Sequence, residues 1–248
     1  MDYFLSIAAS DCSGGAGIQQ DIRVANHLNY WPLTAITGIT VQNHQKVFNI
    51  DAVKPHLLKE QIEKCFDSFL IRAVKVGAIC STKNLETITN CLQKYQHKTL
   101  VIDPVLFSTS GSTFLSIQKL AFLKERLFPL ARIITPNKQE LELLVNKKIS
   151  TLTQAVEIAT YKTNEWGTAI LLKGGHFAQT PIQEALITAN GVEYFTKDRH
   201  NFLYSHGTGC TLSTALACYL GQGKTLQQSY VLASEYLIKQ YLAFNRLM

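Results

Sequence analysis

Residues 205–211 read SHGTGCT, with glycines at 207 and 209 ahead of an apolar stripe. Glycine lets a main chain approach a ligand closely, and a following helix presents unpaired N–H groups and the positive end of its dipole. Together these make an anion hole suited to the charge of a phosphoryl group in transfer. Gly207, Gly209 and Cys210 are therefore the candidate catalytic residues, with Thr208 between them. Cys210 has three open readings: a structural thiol, a nucleophile, or part of a phosphate cradle. A glycine turn that merely caps a helix is the competing reading of the whole stretch. The stretch is neither a P-loop, since GxxxxGK[ST] is missing, nor a dinucleotide fingerprint, since Leu212 stands where the third glycine belongs.

Four other stretches carry chemistry-bearing side chains. SDCSGGAGIQQD (10–21) is a second glycine-rich turn entering a helix, with Asp21 about one turn inside it. Asp21 either complements the helix dipole, worth about 0.3–1 kcal/mol, or accepts a hydrogen bond from a bound substrate. In TPNKQE (135–140), Asn137 and Glu140 stand three apart at a helix start. That is close to a capping box, and positioning of a metal or nucleotide by Glu140 is the minority reading of this stretch alone. KGGH (173–176) places Lys173 at a strand end, where it reaches a phosphate or simply snorkels to water. Gln42 and Asn43 end another apolar run, where a side-chain amide can read the donor and acceptor edges of a ring or form a turn. Asp103 of DPV either anchors a hydrated magnesium or begins a turn.

Something must bring these stretches together. The chain has 248 residues, 46% hydrophobic and 17% charged, as in an ordinary globular protein. The net charge of +6 comes from scattered Lys and Arg, which argues against a dedicated nucleic-acid surface. No run approaches the roughly 18 apolar residues of a membrane span, and the start MDYFLSIAASD reads as a strand, so a cytoplasmic protein is expected. Cys12, Cys65, Cys80, Cys91, Cys210 and Cys218 form no CxxC pair or zinc spacing, so six free thiols are expected. Short β-branched runs (4–9, 33–41, 73–77, 99–103, 132–135, 169–175) alternate with amphipathic segments (17–28, 55–69, 84–96, 117–127, 137–146, 151–164, a helix after 207, and about 225–245). Segments 184–188 and 192–196 form a late strand pair around the turn residues NG at 190–191. Strands separated by single helices predict a mostly parallel α/β sheet, and the absence of a linker predicts one domain over 1–248. In such folds ligands bind beyond the carboxyl ends of the strands, which is where the glycine-rich and polar stretches fall.

Taken in order, SIAASDCSGGAGIQQD, ITVQNHQ, VKVGAI, VIDPVLFSTSG, ITPNKQELELL, LLKGGH and SHGTGCTLSTALA resemble the hydroxymethylpyrimidine/phosphomethylpyrimidine kinases of thiamine biosynthesis, within the ribokinase-like superfamily. The resemblance implies a three-layer αβα fold and a small pyrimidine phosphorylated twice by ATP, with Mg2+. It implies that Gln42 bonds the pyrimidine, that Asp21 helps hold it, and that Ala16 and Val105 line its pocket. It places Lys173, Thr208 and the rest of the 207–210 loop at the ATP phosphates, with Asn137 and Glu140 near the magnesium and nucleotide. Cys210 stands where many relatives outside this group have a catalytic aspartate, and a helix N-terminus that lowers its pKa would make it a thiolate base. A homodimer is implied as well. The sequence departs from the pattern at Ala9, where glycine is usual, at Ala78, where methionine is usual, and at Cys12, where serine is usual. RHNFLYS (199–205) is more apolar than a nucleotide-side loop would be. The rival readings are a pyridoxal or pyridoxamine kinase, a sugar kinase (disfavoured by the missing aspartate at 210), and a catalytically silent pyrimidine-binding protein.

Overall fold

The computed structural model describes residues 1–43, 45–107, 114–175, 177, 180–203 and 205–245. Among them one nine-stranded sheet runs in the order β3-β2-β1-β4-β5-β6-β7-β8-β9. The strands are β1 (Asp2–Asp11), β2 (Tyr30–Gln42), β3 (Val47–Ala52), β4 (Ile71–Val76), β5 (Leu100–Ile102), β6 (Ile133–Ile134), β7 (Ala169–Leu172), β8 (Ile182–Thr188) and β9 (Gly191–Lys197). From β2 across to β7 every pairing is parallel. The edge strands β3, β8 and β9 pair antiparallel.

Period-two alternation sends successive side chains to opposite faces of this sheet, and both faces are covered. Leu5, Ile7, Val74, Val76, Ile102 and Ile170 pack on one face. There they meet α2 (Pro55–Ser68), α3 (Thr82–Tyr95), α5 (Lys138–Val145) and α6 (Leu152–Trp166). Phe4, Ala73, Val101, Ile133 and Leu171 pack on the other, against α1 (Gly17–His27), α7 (Thr208–Gly221) and α8 (Leu226–Asn245). This is the expected three-layer αβα fold. Residues 117–127, expected to be one amphipathic helix, instead form an irregular run of 3-10, α and π turns around α4 (Leu120–Phe122). The strand β3 was not among the expected ones. No helix among the described residues is long and apolar enough to cross a membrane. Because the six central strands are parallel, the ends of β1, β2, β4, β5, β6 and β7 share one edge; SDCSGGAG, QN, DPV, TPN and KGG leave from it, and SHGTGCT, which follows β9, meets them there.

Candidate active site

The first turn of α7 is the centre of this edge. Its N-cap, Gly207, has φ +84°, and a Cβ there would lie 1.8 Å from the Gly15 carbonyl oxygen of the other glycine loop. The two loops therefore touch main chain to main chain, which only glycine permits. Gly209 and Cys210 follow in the first turn, where N–H groups lack intrahelical acceptors. A Cβ on Gly209 would stand 3.6 Å from both the Lys173 Nζ and the Asp103 Oδ2, so this turn lies directly on that ion pair.

Lys173 leaves the end of β7 and donates to Asp103 Oδ1 at 3.0 Å, with Glu140 Oε2 at 3.6 Å. Asp103 also accepts from Thr135 Oγ1 at 3.0 Å and Ser213 Oγ at 3.2 Å. Burial alone would raise the Asp103 carboxyl, but the ammoniums of Lys173 and then Lys75, with these hydrogen bonds, hold it below its usual value. Glu140 is pushed up to about 7 by burial, with the Asp103 charge adding to it and Lys173 opposing. The lysine itself is held well above its usual value: burial works against its charge, and the attraction of Asp103 and Glu140 prevails. The capping box at the start of α5 is present, with Asn137 Oδ1 accepting from the Glu140 N–H and Glu140 Oε2 from the Asn137 N–H. Glu140 thus caps its helix and faces Lys173 with the same carboxylate. The KGG turn is fixed from below by Glu184, which accepts from the Gly174 N–H at 3.0 Å and also from Lys197 and Tyr230. His176 of that stretch, like Ser108–Thr113 after β5, lies outside the described residues.

Two expectations are corrected here. Asp21 does not face a pocket: its carboxylate is fully buried and already holds Lys75 Nζ at 2.9 Å, Ser6 Oγ at 2.5 Å and Thr214 Oγ1 at 2.8 Å. No oxygen is left for a substrate, so Asp21 works as the inner anchor of α1 and α7. Cys210 is not a lowered-pKa thiol in this structure. Burial pushes it up to about 11; Lys75 and a main-chain hydrogen bond with Gly17 pull it down, while Asp21 and Asp103 push it further up.

The substrate side is built by the first glycine loop and the ends of β2 and β5. Asp11 ties the loop together, accepting from the Ser13 N–H at 2.8 Å, the Ala16 N–H at 2.8 Å and His206 Nε2 at 2.9 Å. Burial opposes its charge, but these bonds, His206 first, hold the carboxyl well below its usual value. Ala16 is the half-buried N-cap of α1. Val105 is half-buried and shares a narrow cleft with Gly77 and Asp103. Gln42 is half-buried, its side-chain amide unbonded among the described residues. Thr208 is half-buried, and its N–H donates to the Ser205 carbonyl at 3.3 Å. Ala9 is buried inside β1 and Ala78 half-buried after β4.

Lys75, Asp11, Glu184 and Ser213 were not among the expected site residues. Only Lys75 left a signal: a lysine inside the apolar run AVKVG has to find a buried partner if the run is a central strand. Among the described residues no three His, Cys, Asp or Glu side chains form a metal-binding group. Asp103 and Glu140 do offer two hard oxygen donors beside one ammonium. That set fits a magnesium ion that completes its shell with phosphate oxygens and water.

Comparison with known proteins places the chain in a family and a fold. Residues 11–245 match the family model described as phosphomethylpyrimidine kinase. A bifunctional thiamine biosynthesis protein of Geobacter sulfurreducens is 33% identical over 94% of this chain, and the chain spans about half (48%) of that protein's length. The crystal structure of a phosphomethylpyrimidine kinase of Clostridium difficile is 33% identical, with a TM-score of 0.85 over 97% of this chain and 99% of that one. A pyridoxal kinase of Bacillus subtilis, solved with ADP, is 27% identical with a TM-score of 0.85 over 95% of this chain and 89% of that one.

Proposed function

We propose that this chain, which belongs to the phosphomethylpyrimidine kinase family, transfers the γ-phosphoryl group of ATP first to the hydroxymethyl group of 4-amino-5-hydroxymethyl-2-methylpyrimidine and then to the resulting monophosphate. The observation that carries this reading is the seating of the α7 N-terminus directly on the Lys173–Asp103 pair. Pyrimidine binding alone would need no such device. Phosphoryl transfer does, because its transition state spreads charge over the transferred oxygens and is stabilised mainly by positioning and fixed dipoles.

Each residue then has a place in the reaction. Lys173 and the Gly209 and Cys210 N–H groups hold the phosphoryl oxygens, with Thr208 beside them and Asn137 on the nucleotide side. Asp103 and Glu140 would hold the magnesium that accompanies ATP, and the ion would offset phosphate charge. Gln42 turns its amide to the pyrimidine edge, and Ala16 and Val105 border the ring. Asp11 and His206 keep the two glycine loops in contact and so fix the spacing between acceptor and donor. Cys210, neutral at rest, accepts the alcohol proton in the first step only in its deprotonated fraction. The monophosphate acceptor is already anionic and needs no base.

A single-domain cytoplasmic homodimer completes the reading. Ile39 and Val41 on β2 and Phe48 on β3 are exposed apolar residues that a second copy would cover. The second functional reading is a pyridoxal kinase, favoured by the likeness to the Bacillus subtilis enzyme. ATP consumption measured side by side with the pyrimidine alcohol, its monophosphate and pyridoxal tests both. Turnover of the first two with pyridoxal at least tenfold slower is expected. A preference for pyridoxal supports the second reading, and no turnover with any of the three overturns both.

A further inference from the structure

The parallel ladder between β1 and β2 ends with Asp11 paired to Thr40, and the antiparallel ladder between β2 and β3 slips in register between Val41 and Gln42. Gln42 therefore sits where neither neighbouring strand continues the regular pattern. One atom makes up for this. The Cys12 Sγ donates to the Gln42 carbonyl at 3.2 Å and accepts from the Gln42 N–H at 3.4 Å. The thiol adds a side-chain rung to the ladder after the main chain has turned away into the glycine loop.

The other side of this rung is rigid. Cys12 lies between Asp11, fully buried and bonded to Ser13, Ala16 and His206, and the turn closed by the Gly14 N–H on the Asp11 carbonyl at 2.9 Å. A main chain held by Asp11 gives the thiol a fixed origin. Gln42 has its backbone pinned and, among the described residues, its side-chain amide unbonded, the condition for a side chain that reads a ring rather than one that fills a turn.

We propose that Cys12 is a positioning residue, a latch that fixes the Gln42 main chain against the first glycine loop and thereby sets the affinity for the pyrimidine acceptor. This rests on the kinase reading for the identity of the acceptor, but the latch itself does not. Cys12 acts through Gln42 and touches no reacting atom. Its contribution is specific to the acceptor, because the nucleotide is held by residues on β7, α5 and α7.

The test compares the wild type with Cys12→Ala and Cys12→Ser, each first shown to be folded by its thermal midpoint. Hydrogen exchange of the Gln42 amide in the ligand-free protein comes first. Exchange about 5- to 20-fold faster in Cys12→Ala is expected, the size of one or two modest hydrogen bonds, with Cys12→Ser near the wild type because a hydroxyl also donates and accepts. Steady-state kinetics with the pyrimidine alcohol come second. KM for the alcohol rises by a similar factor in Cys12→Ala and recovers in Cys12→Ser, while KM for MgATP stays within about twofold. Unchanged exchange in Cys12→Ala, or equal loss in both variants, overturns the latch. Faster exchange with an unmoved KM overturns its link to the acceptor. A wild type that turns over no pyrimidine alcohol sinks the kinase reading instead, and the exchange rates still decide the latch.

Discussion

Opposing influences act on the Cys210 thiol, and their sizes decide its state. A helix N-terminus favours an anion by about 0.3–1 kcal/mol, at most about 2, which corresponds to less than about 1.5 units of pKa. Burial can move a group by about 3–5 units, and Asp21 and Asp103 add to it from α1 and from the end of β5. Burial wins, and the thiol sits at about 11. Because the folded thiol binds its proton more tightly than an exposed one, its contribution to stability is complete at neutral pH. That contribution is lost as the pH climbs through the usual thiol range toward 11. The thiolate fraction grows about tenfold per pH unit below that value. Transfer to the pyrimidine alcohol is therefore expected to quicken with pH between about 7 and 9.5, and Cys210→Ala is expected to flatten that limb. Transfer to the monophosphate should lack the limb in both proteins. Stopped-flow or coupled-assay rates against pH decide it, and an equally steep limb in Cys210→Ala removes the thiol from proton transfer.

At the scale of elements, the site is a clasp of two glycine loops, each leading into a helix on the same face of the sheet. Gly207 and Gly15 make the contact, and the His206–Asp11 pair braces it. Gly207→Ala meets both a left-handed φ and a carbonyl at 1.8 Å, so one loop must move away. Gly223, after α7, also has a left-handed φ of +82° but nothing within 4 Å of a Cβ. Gly223→Ala therefore costs only the backbone term, about 1–2 kcal/mol, and keeps its activity. Gly207→Ala is expected to cost more than this backbone term, because the clash with Gly15 adds to it, and to lose about 100-fold or more in kcat, since displacing a reacting group by about 1 Å has that effect. Equal activities in the two variants would show that the contact between the loops is dispensable. The glycine loops were legible in the sequence as punctuation after apolar runs. Their mutual contact was not, because residues 15 and 207 are joined only by the closure of the whole sheet. β3 was not expected although Phe48, Ile50 and Ala52 alternate with Asn49 and Asp51, because the run is short and buries little beyond Val47.

For the molecule as a whole, the face covered by α1 and α7 carries one of the two core clusters, and a buried ion pair ties it to the glycine loops. Lys75 in the middle of β4 and Asp21 on α1 are both fully enclosed, with Ser6 and Thr214 satisfying the remaining carboxylate acceptor sites. The sequence presented Asp21 as a helix-start carboxylate and did not single out Lys75 inside AVKVG. It could not join them, because partners 54 positions apart meet only when β4 and α1 pack. Attraction to Asp21 outweighs burial and keeps Lys75 charged well above the usual lysine value. Removing one member leaves the other as an uncompensated buried charge, at a cost of about 3–5 kcal/mol. Against a total stability of about 5–15 kcal/mol, that leaves Lys75→Met marginal. Replacing both removes the charge while Asn keeps an amide for Ser6 and Thr214, and a well-packed neutral pair can match a buried ionic one. The double variant Lys75→Met with Asp21→Asn is therefore expected to recover at least half of the single variant's loss. Urea unfolding with matched m-values measures all three proteins. A Lys75→Met that loses less than about 1 kcal/mol, or a double variant no better than the single, would mean that packing rather than charge pairing holds α1 to the sheet.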